Sequence, residues 1–346
     1  VCIAEEIGGT KLNLNQIEDN QPKKNNMLKK HNYIAGLVAS LAFGIALAPM
    51  VQAGTEVKSG KDGKSTPMVE ATKSYISGDL GVQFVSTYYS RGILQGPQGK
   101  AGFDAQPYLD LYFKLYEGTG VVNKVTLNLG LWSNIASDTK PSLGGPVTRG
   151  LSSWTEFDWM PGISVTFAKN FTLTVSYFEF DYPAQGSSPQ RSINTSLAYD
   201  DTDLLGMWAL HPHVTFLQEL TGNPSGGHVG LGLAGGSKLG QYYEVGIAPS
   251  FTFLKDSKYP ITFALPVTVG LGSNGFYGTG FGYTSVGGTL SVPLAFVPAG
   301  FGSWTASVGG TYYYLGTTTA RANGQFSVSG VNHDAGVASA GVGLTF

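Results

Sequence analysis

Ala338-Ser339-Ala340-Gly341-Val342-Gly343-Leu344-Thr345-Phe346 closes the chain, and its reading decides the fold. Counting back in twos from Phe346 gives Leu344, Val342, Ala340 and Ala338, all apolar; between them stand Thr345, Gly343, Gly341 and Ser339, all small or polar. A period of two is the mark of a strand with unlike faces. Any half-buried strand shows it, so its meaning depends on how often the pattern returns.

It returns along the whole chain. Val125, Leu127, Leu129, Leu131 and Ile135 alternate with Lys124, Thr126, Asn128, Gly130, Trp132 and Asn134. Phe103, Ala105, Pro107, Leu109, Leu111, Phe113 and Leu115 alternate with Asp104, Gln106, Tyr108, Asp110, Tyr112, Lys114 and Tyr116. Both runs exceed the five or six residues usual in soluble sheets and match a tilted crossing of a bilayer. The pattern predicts twelve strands, over 79–91, 103–117, 121–136, 153–168, 171–182, 190–200, 210–221, 241–254, 260–270, 282–296, 303–315 and 335–346. An irregular first strand and the open region 222–240 leave ten or fourteen as the other counts.

The joins alternate between short and long. Glu117–Gly120, Ala168–Asn170, Lys255–Tyr259 and Val297–Gly302 are short, whereas 92–102, 137–152, 183–189, 222–240, 271–281 and 316–334 are rich in Gly, Pro and Ser. Only 201–209 breaks the rule, being of medium length where a tight turn is expected. Short turns at one rim and long loops at the other are the habit of outer-membrane barrels. Aromatic groups Trp154/Phe157/Trp159, Phe178/Phe180/Tyr182 and Tyr312–Tyr314 fall near segment ends, as interfacial girdles would. A soluble sandwich or propeller also alternates, but no fixed repeat of 40 to 50 residues marks propeller blades.

An export signal is expected at 27–53. Lys29, Lys30 and His31 precede an uncharged apolar run, Ile34–Ala48; Pro49 and Val51-Gln52-Ala53 follow, placing the mature start at Gly54. The run is too short for a membrane-spanning helix, which needs roughly 20 apolar residues. Residues 1–26 read as upstream sequence and hold Cys2, the single cysteine. Residues 54–77 read as a flexible periplasmic segment, with a short helical plug over Met68–Ile76 as the other reading, and 78–346 as the barrel. From Gly54 onward 16 Lys and Arg face 19 Asp and Glu, with no basic run to hold nucleic acid. The terminal strand, with its aromatic end, then resembles the one that marks bacterial outer-membrane barrels for insertion, making Phe346 an expected signal to the assembly machinery. The expected fold is therefore all-β, an antiparallel up-and-down transmembrane barrel in the bacterial outer membrane.

Parity assigns an inner wall. Asp104, Asp110, Lys114, Lys124, Glu156 and Asp158 are expected in the lumen, with His211, His213 and Glu219 from the seventh strand and Glu244 from the eighth. Thr262, Ala264, Pro266, Thr268, Ser285, Gly287, Thr289 and Ser291 give the facing wall small residues. Either these charges pair across a filled barrel, Asp110 with Lys114 or Lys124, or they line a water-filled path. With Asp200, seven inward groups are acidic and two basic, which predicts a weak cation preference. Enzyme chemistry finds little support. His211-Pro212-His213 offers two imidazoles but no third ligand at metal spacing, and no Gly-x-Ser-x-Gly elbow occurs. Glu156/Asp158 and Asp200/Asp201 are ordinary acidic pairs, and Gly230-Leu231-Gly232 lacks the following helix of a nucleotide loop. No cofactor or metal is expected.

Ser86-Thr87-Tyr88-Tyr89-Ser90-Arg91-Gly92-Ile93-Leu94-Gln95 resembles the first-strand signature of the TorF-type family of uncharacterised porins, Ser-x-Tyr-x-x-Arg-Gly-Ile-x-Gln. The likeness covers about ten residues. The family's Gly-Trp-Ser motif is approached, without a match, by Gly130-Leu131-Trp132-Ser133-Asn134. The resemblance implies an outer-membrane pore or channel whose partners are membrane lipid and small solutes. The alternatives are a transporter of hydrophobic compounds or lipids, which would want a plug and a lateral opening, and a structural or adhesive barrel acting through its outer loops. Arg91 reads here as a strand-end cation at the headgroup level.

Overall fold

The computed structural model describes residues 74–95, 103–137, 153–184, 189–221, 239–324 and 330–346. The segments 1–26 and 27–53, nearly all of 54–77, and most of 222–240 lie outside the described residues. Twelve antiparallel strands form one closed barrel. They are β1 (Ile76–Val85), β2 (Asp104–Glu117), β3 (Val122–Ala136), β4 (Trp154–Phe167), β5 (Phe171–Asp181), β6 (Gln190–Tyr199) and β7 (His213–Thr221). Then follow β8 (Gln241–Ile247 with Ser250–Phe253), β9 (Ile261–Ala264 with Val267–Gly272), β10 (Phe281–Pro293), β11 (Ser303–Leu315) and β12 (Asp334–Thr345). Each strand pairs with its sequence neighbour, and β1 pairs with β12 from Asp79↔Thr345 to Val85↔Ser339, which closes the cylinder.

The faces follow from the alternation. In β3, Thr126, Asn128, Trp132 and Asn134 are buried, while Leu127 and Ile135 are exposed on the outside. The terminal strand does the same, with Val337 and Ser339 buried and Ala340 exposed. Outward apolar groups and an inward polar set invert the soluble arrangement, as a lipid solvent requires. This is a transmembrane barrel of the outer-membrane type.

Prolines explain the two split strands. β8 is interrupted at Ala248-Pro249 and β9 at Leu265-Pro266, where a ladder donor is missing. The proline carbonyls still accept, from Leu265 N–H to Pro249 at 2.9 Å and from Gly287 N–H to Pro266 at 2.8 Å. The sheet thus carries on across both breaks.

The join 200–212 is a folded unit rather than a tight turn. Thr202–Leu205 is helical and Gly206–Trp208 forms a 3-10 turn, so the strand expected from 210 starts at His213. The backbone carbonyl of Asp201 accepts from the N–H groups of Leu204 and Leu205, both at 2.9 Å. Its buried carboxylate accepts from the N–H groups of Leu210 at 3.0 Å and His211 at 2.9 Å. Burial works against the charged form, yet those N–H groups outweigh it and hold the carboxyl below its usual range.

Asp201→Ala strands these donors and should cost about 1–3 kcal/mol at neutral pH. A depressed folded-state value means that the stabilisation is present above the ordinary range, about pH 4, and fades as pH falls through the folded value. The difference between parent and Asp201→Ala in urea unfolding from detergent should therefore shrink toward pH 3. Equal midpoints at pH 7 would remove Asp201 as the organiser of this turn.

Candidate functional site: the lumen

Strand direction and loop length order the lumen along its axis. Short turns join β2 to β3 and β4 to β5, marking the periplasmic rim, so the ends carrying Asp104, Asn134, Glu156 and Glu219 lie toward the outside of the cell. In the outer half, inward residues are buried: Gln106 at 3%, Asn134 at 1%, Ser192 at 0% and Glu219 at 0% exposure. In the periplasmic half the inner-face residues Asp110, Tyr112, Ser291, Ser307 and Gly341 remain partly exposed. The lumen is a polar vestibule toward the periplasm that narrows into a packed layer.

That layer is aromatic as well as acidic. Tyr242, Tyr283 and Tyr313 point inward from β8, β10 and β11, and Phe178 and Phe180 from β5. Phe178, Phe180 and Tyr313 therefore leave the expected girdles, where Tyr312 and Tyr314, 47% and 49% exposed, remain. Parity itself carried this signal, since Tyr283 shares its face with Ser285 and Tyr242 with Glu244. The asymmetry read around the barrel, charges against small residues, is in large part an asymmetry along its axis.

Three inserts complete the layer. The segment Tyr89–Ser90 and Ile93–Leu94 folds inward as a small hairpin, apart from the barrel sheet. Its turn is Arg91-Gly92, with φ of 50° and 75°. Two positive values in succession fit a primed hairpin turn. Glycine is also required by space, because a Cβ at Gly92 would lie 2.9 Å from the Tyr283 ring. Tyr277, from the β9–β10 loop, donates its hydroxyl to the Arg91 carbonyl at 2.8 Å. Asn323, on the helix Thr317–Gly324, donates to the Gly92 carbonyl at 2.8 Å and accepts from Leu94 N–H at 3.0 Å.

Arg91 is thus no headgroup cation. It is 8% exposed, with its guanidinium 5.6 Å from the Tyr242 ring and 5.8 Å from the Phe180 ring. Its charge acts on Glu156, Asp158 and Glu244. The motif behind the family resemblance is the hairpin that fills the outer half of the lumen. Sequence parity missed Arg91 because the strand ends at Val85 and the alternation does not extend through the turn.

The remaining expected lumen residues divide by depth. Asp104, Glu156, Asp158 and Glu219 belong to the outer half, and Glu244 holds the hydroxyl of Tyr242 below them. His213 is buried with its Nε2 3.5 Å from Glu244 Oε1. Lys114 pairs with Glu117 at 3.0 Å, brought to its face by the β2 bulge between Lys114 and Tyr116, and lies over the Tyr75 ring; Asp110, four residues back along the strand, is out of reach. Lys124 is exposed at the periplasmic rim. Asp200 and His211 leave the lumen altogether. His211, at φ 48°, turns out of the strand beside Asp200 and Asp201, so the two imidazoles do not share a face. Asp200, Asp201 and His211 bring one ligand atom each within 4.8 Å of one another. The oxygens of Asp201 already serve the turn, which accounts for the cluster.

No protein-family model matches the chain, and no curated protein sequence is similar to it. Among solved structures it is similar to an outer membrane channel from Pseudomonas putida F1, at TM-score 0.43 and 11% identity, covering 82% of this chain and 100% of that one. The NanC porin is similar at TM-score 0.41 and 11% identity, covering 77% and 100%. Outer membrane phospholipase A from Escherichia coli is similar at TM-score 0.37 and 13% identity, covering 78% and 92%. These likenesses concern the barrel alone.

Proposed function

We propose that this barrel is an outer-membrane channel for small solutes, without enzymatic activity, whose path runs from the periplasmic vestibule through the acidic–aromatic layer. The observation that carries this reading is the gradient on the inner face, from partly exposed small and polar residues to a buried charged constriction. A barrel serving only as a scaffold has no need of a wetted half-lumen ending at buried carboxylates. Asp79, Asp104, Asp110, Glu156, Asp158, Glu219 and Glu244 face inward against Arg91, Lys114 and, at the rim, Lys124 among the described residues, which favours cations. Refolded protein in planar bilayers should give ohmic steps of small size, with a reversal potential in a KCl gradient on the cation side. Anion selectivity would overturn the acidic-wall reading. Silence from the parent and from Arg91→Ala alike would overturn the channel.

A further inference from the structure

Even with Arg91 in place, the outer layer keeps buried polar atoms that have no hydrogen-bond partner, the hydroxyls of Tyr313 and Thr319 among them. Asp158 Oδ1 is fully buried without a hydrogen-bond partner, and so are Gln190 Oε1 and Ser192 Oγ. Strand register places the first two on either side of Phe180, which stands opposite both Asp158 and Gln190. Asp158 itself is 6% exposed and Gln190 likewise 6%. Buried acceptors left unpaired are destabilising. What would satisfy them is a group carrying several N–H donors and a positive charge, with aromatic faces beside it as Phe180 and Tyr242 provide.

One such group is already there, on the inward hairpin. Arg91 has a positive φ at a turn position that Asn or Gly would occupy with less strain, so the position serves the side chain rather than the backbone. The hairpin has two residues in each arm and no ladder to the barrel. The hydrogen bonds from Tyr277 and Asn323 hold its tip, and Ile93 and Leu94 after the turn are buried in the core.

We propose that the cage around Arg91 is a binding site for solutes bearing a guanidinium or ammonium group, which take the place of the Arg91 side chain. As a selection device this rests on the channel reading; as a binding site it is tested separately. An anion would meet Glu156, Asp158 and Glu244, and an apolar solute would leave the acceptors unpaired. Organic cations alone match both the charge and the donors.

The test uses the full barrel in detergent, titrated with agmatine and spermidine, and with glutamate at matched ionic strength. Trp132, 4% exposed with its ring 5.1 Å from that of Tyr88, reports on the hairpin by fluorescence. Both amines should give a saturable change, and glutamate none. Arg91→Ala removes the internal competitor and should tighten amine binding about tenfold, whereas Asp158→Asn should weaken it about tenfold. Should Arg91→Ala fold poorly, Arg91→Lys replaces it and should tighten binding by a smaller factor, since the planar fork is lost. Trp132→Phe should lose the optical signal but keep the heat of binding by calorimetry. Equal response to glutamate, or unchanged affinity in the Arg91 variants, would overturn the proposal. Binding with silent bilayers would sink the channel and keep the site; conductance without binding would do the reverse.

Discussion

Leu129→Arg should nearly abolish insertion of the barrel into lipid vesicles, while its neighbour Asn128→Arg should insert and fold. Leu129 lies between Leu111 and Pro161 on the lipid side of β3, well inside the strand at both ends. An arginine on that face near mid-bilayer costs about 2–4 kcal/mol. A barrel whose net stability is itself of the order of 5–15 kcal/mol loses a large part of it, and the charged intermediate must also cross the acyl region. Asn128 is 9% exposed on the inner face and donates to Ser164 Oγ at 2.5 Å. Arginine there loses that bond, but its charge stays in the polar lumen, with Asp110 one register step away at Gly130. Folding yield by heat-modifiable gel mobility separates the two variants. The reversal potential of Asn128→Arg should move toward anions. If Asn128→Arg were the more damaging, the inner face would be assigned to the wrong parity, and the acidic wall would fall with it.

Deleting Phe346 should lower the amount of barrel assembled in cells severalfold, yet change refolding of purified protein little. Its backbone closes the seam: N–H to the Gly78 carbonyl at 2.9 Å, and its own carbonyl from Gly78 N–H at 3.0 Å. Two such bonds are worth about 1 kcal/mol each net, too little to prevent a twelve-stranded barrel from forming. The ring is half exposed at the periplasmic end, where an assembly factor could read it. Phe346→Tyr should be mild, since both rings suit the membrane interface. The comparison of cellular yield with refolding in vitro separates recognition from stability. Equal loss in both would make Phe346 a seam residue only, and loss in neither would remove its role.

Much of the architecture was legible because the lipid solvent writes it in a simple code. Every strand had to place apolar groups at alternate positions, so Asp104–Glu117 and Val122–Ala136 could be bounded within a residue or so from the pattern alone. The departures have local causes. Prolines at 249 and 266 split two strands by withholding donors, and the Asp201 carboxylate captured the N–H groups of Leu210 and His211 before β7 could begin. Alternation is blind to both, since it registers hydrophobicity and not hydrogen-bond supply.

The sequence by itself determined the barrel class, the alternation of turns and loops, and which parity faces lipid, because each depends on residues adjacent in the chain; closure of β1 on β12 decided among ten, twelve and fourteen strands. Only the tertiary structure decided what occupies the lumen. Phe180, Tyr242, Tyr283 and Arg91 come from strands and a turn far apart in sequence, and closure of β1 on β12 is what brings them onto one axis. Parity tells whether a side chain points inward; it does not tell what meets it at the centre. That meeting depends on barrel radius, strand stagger and the inward fold of the 86–95 segment, none of which has a period that can be read along the chain.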